Sequence, residues 1–433
     1  MAPMTLPLAR IRRVLLRLLW MVAGAGAGLD VLGPHAACAQ SDPAARLDVT
    51  YTADAMAGLR GGRERGAVFL DNLDLTLTLD LDALLGWPRT VLFLYGLGNQ
   101  GGSASALAGD VQGVNNIEAP NAWRLYEAFV QHRLLNDRLS LLAGLYDINA
   151  EFDVMEAASV FLNSSFGIGA EFAASRPQGP SIFPFTALGL RARAFPADRW
   201  YLQAAALDGV PGLPGDPHAG PFHFGPNDGL LLVAETGVTL YRRRLDSASQ
   251  QQVRRQRISR LATSPYRLKV GLGGWYYTAR FQRIGAPAVT QRGNGGLYLL
   301  SQGTLFHEPA DPAQGLRGFL RLGVADRRVN RLAAYTGGGL VYTGLLPGRP
   351  ADHLGVGAAI AHHGAPYRRA QHRTGTPTTR SETTLELTYQ APLTAWLLIQ
   401  GDVQYVLHPD MDPTQGHALV LGLRLQVACG TAF

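Results

Sequence analysis

A long segment in the first half of the chain combines acidic, amide and aromatic side chains. Residues 147–183 read DINAEFDVMEAASVFLNSSFGIGAEFAASRPQGPSIF. Carboxylates and amides form hydrogen bonds with hydroxyl groups, and an aromatic ring accepts the apolar face of a sugar. The segment is therefore a candidate ligand site, and the alternative for each phenylalanine is that it only packs the segment against a wall. The polar candidates are Asp147, Asn149, Glu151 and Asp153.

Charged side chains that alternate with apolar ones form a second set of candidates. From residue 73 to 82 every other residue is leucine, and Asp74, Asp80 and Asp82 lie between the leucines. Opposed charges along a water-filled channel select solutes by charge and hydrogen bonding. The alternative for each residue is a solvated wall charge that has little effect. Further candidates for the inner surface are Arg124, Glu127, Arg191, Arg193, Arg267, Lys269, Arg317, Arg321, Glu386, Asp402 and Arg424.

The sequence contains little that indicates a catalytic, metal-binding or phosphate-binding site. The G-x-S-x-G motif of hydrolases is absent. His362 and His363 are adjacent, so on a strand they would point to opposite faces and would not share a metal. The glycine run at 96–102 does not open a helix, as a phosphate-binding loop would. We expect no enzyme activity, no metal site and no cofactor.

The composition and the period-two pattern indicate a membrane-spanning β-barrel. Only 17% of the residues are charged, against about 25% in typical soluble domains. Beyond residue 40 no apolar run reaches the roughly 18 residues of a transmembrane helix. A soluble β-sandwich would also alternate, but many long strands, connections of alternating length and the terminal Phe433 favour a barrel. No basic stripe with interleaved aromatics is present, so nucleic acid is not an expected partner.

We predict an all-β fold, a 16-stranded antiparallel transmembrane barrel of the outer-membrane type, with the long connection after strand 5 folded inward. Connections after strands 2, 4, 6, 10 and 14 are short, and those after strands 3, 5, 9 and 13 are long. Two features have no explanation at this level: the polar connection 244–263, and the GTAF end, which is expected to lie beyond the last strand. The predicted strands are 46–58, 67–84, 89–99, 122–134, 138–146, 184–195, 199–208, 229–243, 264–278, 293–307, 313–325, 335–343, 352–363, 379–390, 394–407 and 416–427.

Residues 1–39 have the layout of a secretory signal peptide. Four arginines precede residue 18, an apolar stretch follows, and Ala37-Cys38-Ala39 forms a cleavage site. We expect residues 1–39 to be removed and residues 40–433 to form one barrel domain. The remaining chain then has a single cysteine, Cys429, so no internal disulfide can form.

Several long blocks resemble the OprB family of carbohydrate-selective porins. They include LDNLDLTLTLDLDALLGW at 70–87, FLYGLGNQGG at 93–102 and LLAGLYDINAEFDVMEAASVFLNSSFGI at 141–168. The resemblance implies passive diffusion of sugars across a Gram-negative outer membrane, with monosaccharides such as glucose and polyols as substrates. The alternative is a general diffusion porin without a sugar site. The expected partners are sugars, outer-membrane lipid and lipopolysaccharide, and the barrel-assembly machinery; whether copies of the chain associate is left open.

Overall fold

Sixteen β-strands dominate the computed structural model, which describes residues 43–213, 215, 216, 218, 220, 225–241 and 266–432. The strands are β1 (Ala45–Gly62), β2 (Gly66–Asp80), β3 (Thr90–Gly101), β4 (Ala122–Leu134), β5 (Leu139–Tyr146), β6 (Ala187–Ala197), β7 (Trp200–Asp208), β8 (Leu230–Tyr241), β9 (Tyr266–Arg283), β10 (Ala286–His307), β11 (Gly315–Ala325), β12 (Leu332–Thr343), β13 (His353–His363), β14 (Ser381–Pro392), β15 (Leu397–Leu407) and β16 (Gly416–Ala432).

The strands form a closed barrel. Each strand pairs antiparallel with its neighbours in sequence, and β1 pairs with β16 to complete the circle. Closure leaves no free sheet edge, so every strand can satisfy its backbone hydrogen bonds within the protein, as lipid surroundings require. The predicted 16-stranded antiparallel barrel is confirmed.

The last strand is longer than the sequence indicated. Gly430 pairs with Asp48, Thr431 with Leu47 and Ala432 with Arg46, because β1 begins early enough to offer these partners. The expectation that the GTAF end lies beyond the strand is therefore wrong for residues 430–432. Phe433 lies outside the described residues.

The two faces of the wall differ as the period-two pattern predicts. On β2 the side chain of Leu75 is 36% exposed, whereas that of its neighbour Asp74 is 6% exposed. Outward leucines and valines recur on most strands, and they form an apolar band suited to acyl chains. Within the described residues, no helix has the length and apolar character needed to cross a membrane.

Most connections that follow even-numbered strands are short. Trp87 and Trp200 lie at this end of the barrel and are exposed, and Trp396 is half-buried. After β2 the chain forms helix α1 (Leu81–Leu85), whose first N–H groups include that of Asp82, which donates to Asp80 Oδ1 at 2.9 Å. Asp82 therefore belongs to a helical turn, and the prediction that it faces the lumen is wrong.

Longer connections follow odd-numbered strands. Residues 102–121 contain helix α2 (Ala104–Ala108), residues 147–186 contain α3 (Ala170–Ala173), and residues 364–380 contain α4 (Ala365–Arg373). The long loop predicted after strand 9 is instead a continuation of both strands to a tight turn at residues 284 and 285. Gly285 permits this turn because its φ is +75°.

Two predictions fall on residues that are not described. The signal peptide at 1–39 lies outside the described ranges, and so does the polar connection 244–263. Both stay predictions.

Candidate functional site

The connection between β5 and β6, residues 147–186, lies inside the barrel and is called the constriction loop below. Four of its six phenylalanines, Phe152, Phe161, Phe166 and Phe172, are at most 2% exposed. The ring of Phe172 stacks on Trp275 of β9 with a centroid separation of 4.8 Å. The aromatic residues therefore pack the loop against the wall, which is the simpler of the two roles that the sequence allowed.

Glycines in the wall make room for these rings. A Cβ on Gly357 of β13 would lie 2.8 Å from the ring of Phe166, and one on Gly355 would lie 3.0 Å from the ring of Phe161. Side chains at these positions would collide with the loop. The wall of β13 is therefore shaped to receive the constriction loop.

Arg321 of β11 anchors the middle of the loop. Its Nη2 donates to Asp153 Oδ2 at 2.6 Å and to Glu171 Oε1 at 2.9 Å. A Cβ on Gly169 would lie 1.5 Å from Arg321 Nη1, so only glycine lets the loop approach the guanidinium group this closely. One buried cation thus holds two carboxylates from different parts of the loop.

Burial and the cation act in opposite directions on Asp153. Removal from water is the larger effect and raises the pKa of Asp153 to about 6, whereas Arg321 lowers it. Near neutral pH the carboxylate remains ionised and can pair with Arg321.

A second ion pair fixes the start of the loop. The Nε of Arg191 in β6 lies 2.5 Å from Glu151 Oε2, and both side chains are almost fully buried. Arg193, two residues along the same strand, lies 3.9 Å from Glu151 and keeps 17% of its side chain exposed. Gln203 of β7 donates to the backbone carbonyl of Glu151 at 2.9 Å.

Two further acids anchor the loop: Glu386, which the sequence analysis placed on the inner surface, and Glu235, which it did not single out. Glu235 of β8 accepts hydrogen bonds from Tyr201, Tyr298 and the backbone N–H of Asp153, at 2.7–2.8 Å. Glu386 of β14 accepts from the backbone N–H groups of residues 162 and 163. Period two places Glu235 and Glu386 on the inner face, but no sequence pattern indicates that their partners are backbone groups of the loop.

The connection 102–121 narrows the lumen from another side. The backbone N–H of Ser164 in the constriction loop donates to the carbonyl of Gly113 at 2.7 Å. Asn115 donates to Asp54 of β1 at 2.6 Å, and Gln404 of β15 donates to the carbonyl of Val114 at 2.8 Å. The two connections therefore brace each other inside the barrel.

The wall of β2, β3 and β4 carries a chain of polar side chains. Arg124 donates to Asn99 at 3.0 Å, Asn99 donates to Asn72 at 2.8 Å, and Asn72 donates to Asp74 at 2.7 Å. Tyr95 also donates to Asp74. This polar ladder runs across three strands, and among the described residues none of the loop's buried ion pairs is made with them.

An irregularity in β4 brings the ladder close to the start of the loop. A bulge at residues 126 and 127 turns both side chains inward. Tyr126 donates to Asp147 Oδ2 at 2.6 Å, and the backbone N–H of Asp147 donates to Glu127 at 3.0 Å. Asp147 is thereby held beside the ring of Tyr126, next to Asn149.

The predicted site residues fall into two groups. Glu151, Asp153, Arg191 and Arg321 are at most 5% exposed, and they hold the loop rather than line open space. The prediction that these four face the pore is corrected, because they form ion pairs with one another. The others lie on the polar ladder and β4 (Asp74, Arg124 and Glu127), at the start of the loop (Asp147 and Asn149), on β6 near Glu151 (Arg193) and at the barrel seam (Arg424).

Within the described part of the chain, no group of three His, Cys, Asp or Glu side chains could hold a metal ion. A family model described as carbohydrate-selective porin, OprB family, matches residues 64–428. The chain belongs to the OprB family.

One curated porin and two barrels of known structure are similar to this chain over most of its length. Porin B of Pseudomonas aeruginosa is 23% identical over 411 residues, which cover 87% of this chain and 86% of Porin B. The high-pH structure of Pseudomonas putida OprB is 20% identical, with a TM-score of 0.75 and coverage of 89% and 94%. The channel DcaP of Acinetobacter baumannii is 9% identical, with a TM-score of 0.51 and coverage of 92% and 100%.

Membership of the OprB family establishes the membrane in which this barrel lies. The chain is a carbohydrate-selective porin of a Gram-negative outer membrane, and the fold and family are those of channels. The constriction loop and the polar ladder therefore lie in the path between the two sides of that membrane.

Proposed function

We propose that monosaccharides such as glucose, and polyols, diffuse down their gradients between the free face of the constriction loop and the polar ladder. One observation carries this proposal. The loop is held against β6 and β11 by buried ion pairs, and Arg124, Asp147 and Asn149 remain partly exposed near the ladder. Among the predicted residues, these three are the ones we assign to contact with the solute.

The chemistry of this passage suits a hydroxylated, uncharged solute. Arg124 donates hydrogen bonds and Asp147 accepts them, so together they can bind neighbouring hydroxyl groups. The guanidinium group of Arg124 lies over the ring of Phe185 at 4.9 Å, which leaves an apolar surface beside the polar groups. A weak site of this kind speeds passage because the solute can enter and also leave.

The test is single-channel conductance of the full-length protein in a planar bilayer. Glucose should reduce the ion current in a saturable way, and an uncharged non-sugar solute of similar size should not. Arg124→Gln and Asp147→Asn should each weaken glucose binding, so that the half-blocking concentration of glucose rises about tenfold. This change corresponds to the loss of one charged hydrogen bond of roughly 1.4 kcal/mol. Arg349→Gln, in the β12–β13 connection, serves as the matched control and should not change it.

Removing the loop tests the constriction separately. The backbone N–H of Ile148 donates to the carbonyl of Ser181 at 2.9 Å, so a Gly-Gly link can replace residues 149–180 without moving the strand ends. We expect a conductance several times higher and no block by glucose. Replacing α4 with a glycine linker is the control, because α4 makes no described hydrogen bond to the constriction loop. Equal, unsaturable effects of both solutes on the intact protein would leave only a general diffusion pore.

The remaining expectations are proposals about biogenesis and surroundings. We propose that residues 1–39 are cleaved on export, that the barrel-assembly machinery inserts residues 40–433, and that the chain transports without covalent chemistry. The strands and their closure are compatible with these roles.

A further inference from the structure

Two arginines face each other on the outer surface of the barrel. Arg280 of β9 pairs directly with Arg292 of β10. Phe281 packs inward on Tyr277 with a centroid distance of 5.8 Å, so the side chain of Arg280 points outward, and its cross-strand partner shares that face. Like charges directly opposite each other destabilise a sheet. Among the described residues, no carboxylate lies within 4.0 Å of either arginine to offset this repulsion.

The arginine pair belongs to a larger basic surface at the end of the barrel opposite the short connections. Three segments form it, 279–293, 326–331 and 364–380, and together they are called the arginine rim. The backbone N–H of Ile284 donates to the carbonyl of Arg328 at 2.8 Å, and a Cβ on Gly285 would lie 3.5 Å from that of Ala370 in α4. The three segments thus touch one another.

The arginine rim has a large excess of positive charge. It contains ten arginines and one acidic residue, Asp326. Arg328 pairs with Asp326 at 2.7 Å, and Arg331 pairs with Asp410 from the next connection. Seven exposed arginines have no ion pair with any described residue: Arg280, Arg283, Arg292, Arg327, Arg369, Arg373 and Arg380.

An apolar groove runs along the membrane-facing wall below the arginine pair. Its volume is about 1160 Å³, and alanines such as Ala204 and Ala234 form its floor between outward leucines. Tyr276 and Leu297 line its side nearest the rim. Arg280 follows Tyr276 by four residues on the same face of β9, which is about 13 Å at a strand's rise per residue.

We propose that the arginine rim binds the phosphate groups of lipopolysaccharide in the outer leaflet, with acyl chains of the same molecule in the groove. Guanidinium groups form paired hydrogen bonds with phosphate oxygens, and clustered basic residues are attracted to an anionic membrane surface. A phosphate between Arg280 and Arg292 would remove their mutual repulsion. The position just beyond an outward tyrosine is where the headgroup layer begins.

This site is separate from the passage for sugars. Its arginines lie outside the barrel wall, so the inference goes beyond the proposed function and does not depend on it. Lipid binding and glucose block can be measured independently on the same protein.

The test is binding of fluorescent bisphosphorylated lipid A to the full-length protein in detergent. Arg280→Gln with Arg292→Gln should weaken binding at least tenfold. Arg60→Gln with Arg65→Gln removes the same charge beside the β1–β2 turn, half a barrel circumference away, and should leave binding within twofold. Glucose block of the current and the folded fraction should be the same in both double variants.

Two further measurements identify the ligand. Lipid A without phosphates should bind at least tenfold more weakly, and Ala234→Trp, which fills the groove, should weaken lipid A binding while the barrel remains folded. Equal binding of lipid A with and without phosphates would overturn the proposal. Full competition by millimolar inorganic phosphate would also overturn it, because it would indicate a site for the free ion. Equal losses in the two double variants would show general charge attraction instead of this site.

Discussion

At the scale of single residues, the constriction loop depends on a buried cluster in which the carboxylates outnumber the cations. Arg321 is one cation between two carboxylates, Asp153 and Glu171, and the rings of Tyr298 and Tyr335 lie 5.6 and 5.1 Å from its guanidinium carbon. Removing the Arg321 guanidinium from water costs free energy, and the ion pairs with Asp153 and Glu171 offset that cost only while all three groups are present. Loss of Arg321 therefore removes the compensation for both acids.

We predict that Arg321→Met releases the middle of the loop. The apolar side chain has a similar volume but leaves Asp153 and Glu171 buried without a counter-ion, which costs about 3–5 kcal/mol. The single-channel conductance should rise and become noisy, because the loop would leave its docked position. The measurement is current recording after the folded state has been verified by electrophoretic mobility with and without heating.

Arg349→Met is the matched control for that variant. Arg349 pairs with Asp352 at 2.7 Å in the β12–β13 connection, and its side chain is 39% exposed. An exposed pair contributes at most about 1 kcal/mol. Normal conductance and noise in Arg321→Met would contradict the anchoring role.

For single residues, the sequence predicted which face of the wall a side chain lies on but not which groups it contacts across the lumen. Alternation correctly placed Arg191 and Arg321 on the inner face, but it carried no information on distance across the lumen. Arg191 meets Glu151, and Arg321 meets Asp153 and Glu171, through a loop fold that depends on Gly169 and on aromatic packing. Whether an inward arginine lines water or holds a loop is decided by these tertiary contacts, which a one-dimensional pattern cannot express.

At the scale of elements, strands were predictable and connections were less so. Period-two alternation comes from the backbone itself, so all sixteen strands could be counted, and most of their ends were predicted to within about four residues. The end of β9, the start of β10 and the end of β16 lie further from the predicted positions. The hairpin of β9 and β10 was missed at its tip, because residues 279–292 lie beyond the apolar band and have no need to alternate. The fold of the constriction loop, with three short 3-10 turns and α3, had no periodic signal at all.

The connection 102–121 should respond to pH. Burial raises the pKa of Asp110 to about 6, and the nearby carboxylate of Glu118 acts in the same direction. In a released loop this carboxyl would return to its ordinary value of about 3.9. The docked loop therefore holds the proton more tightly, so acid favours docking, and this stabilisation is lost as the pH rises through 6.

We predict that current fluctuations from this connection are rarer at pH 5 than at pH 8. Asp110→Asn, which is neutral at every pH, should reduce the difference between the two conditions. Asp311→Asn, at an exposed position between β10 and β11, should behave as the unchanged protein. If Asp110→Asn fluctuates with the same pH dependence as the unchanged protein, another acid controls the connection.

At the scale of the whole molecule, the barrel is closed by one seam between the first and last strands. Asp54 of β1 and Arg424 of β16 stand directly opposite each other in that seam. Arg424 donates to both carboxylate oxygens at 2.7–2.8 Å, and Asn115 adds a third hydrogen bond at 2.6 Å. The side chain of Asp54 is fully buried, so the pair joins the two ends of the chain and also fixes the connection 102–121.

We predict that this pair determines much of the thermal stability of the closed barrel. Arg424→Met leaves a buried carboxylate unpaired and should cost about 3–5 kcal/mol. Adding Asp54→Asn removes that charge, so the double variant should be more stable than Arg424→Met alone, which simple additivity does not allow. The readout is the temperature at which the compact electrophoretic form disappears. Arg46→Met, which breaks a partly exposed ion pair within β1, should shift this temperature little. Equal shifts in Arg424→Met and Arg46→Met would show that the seam is not special.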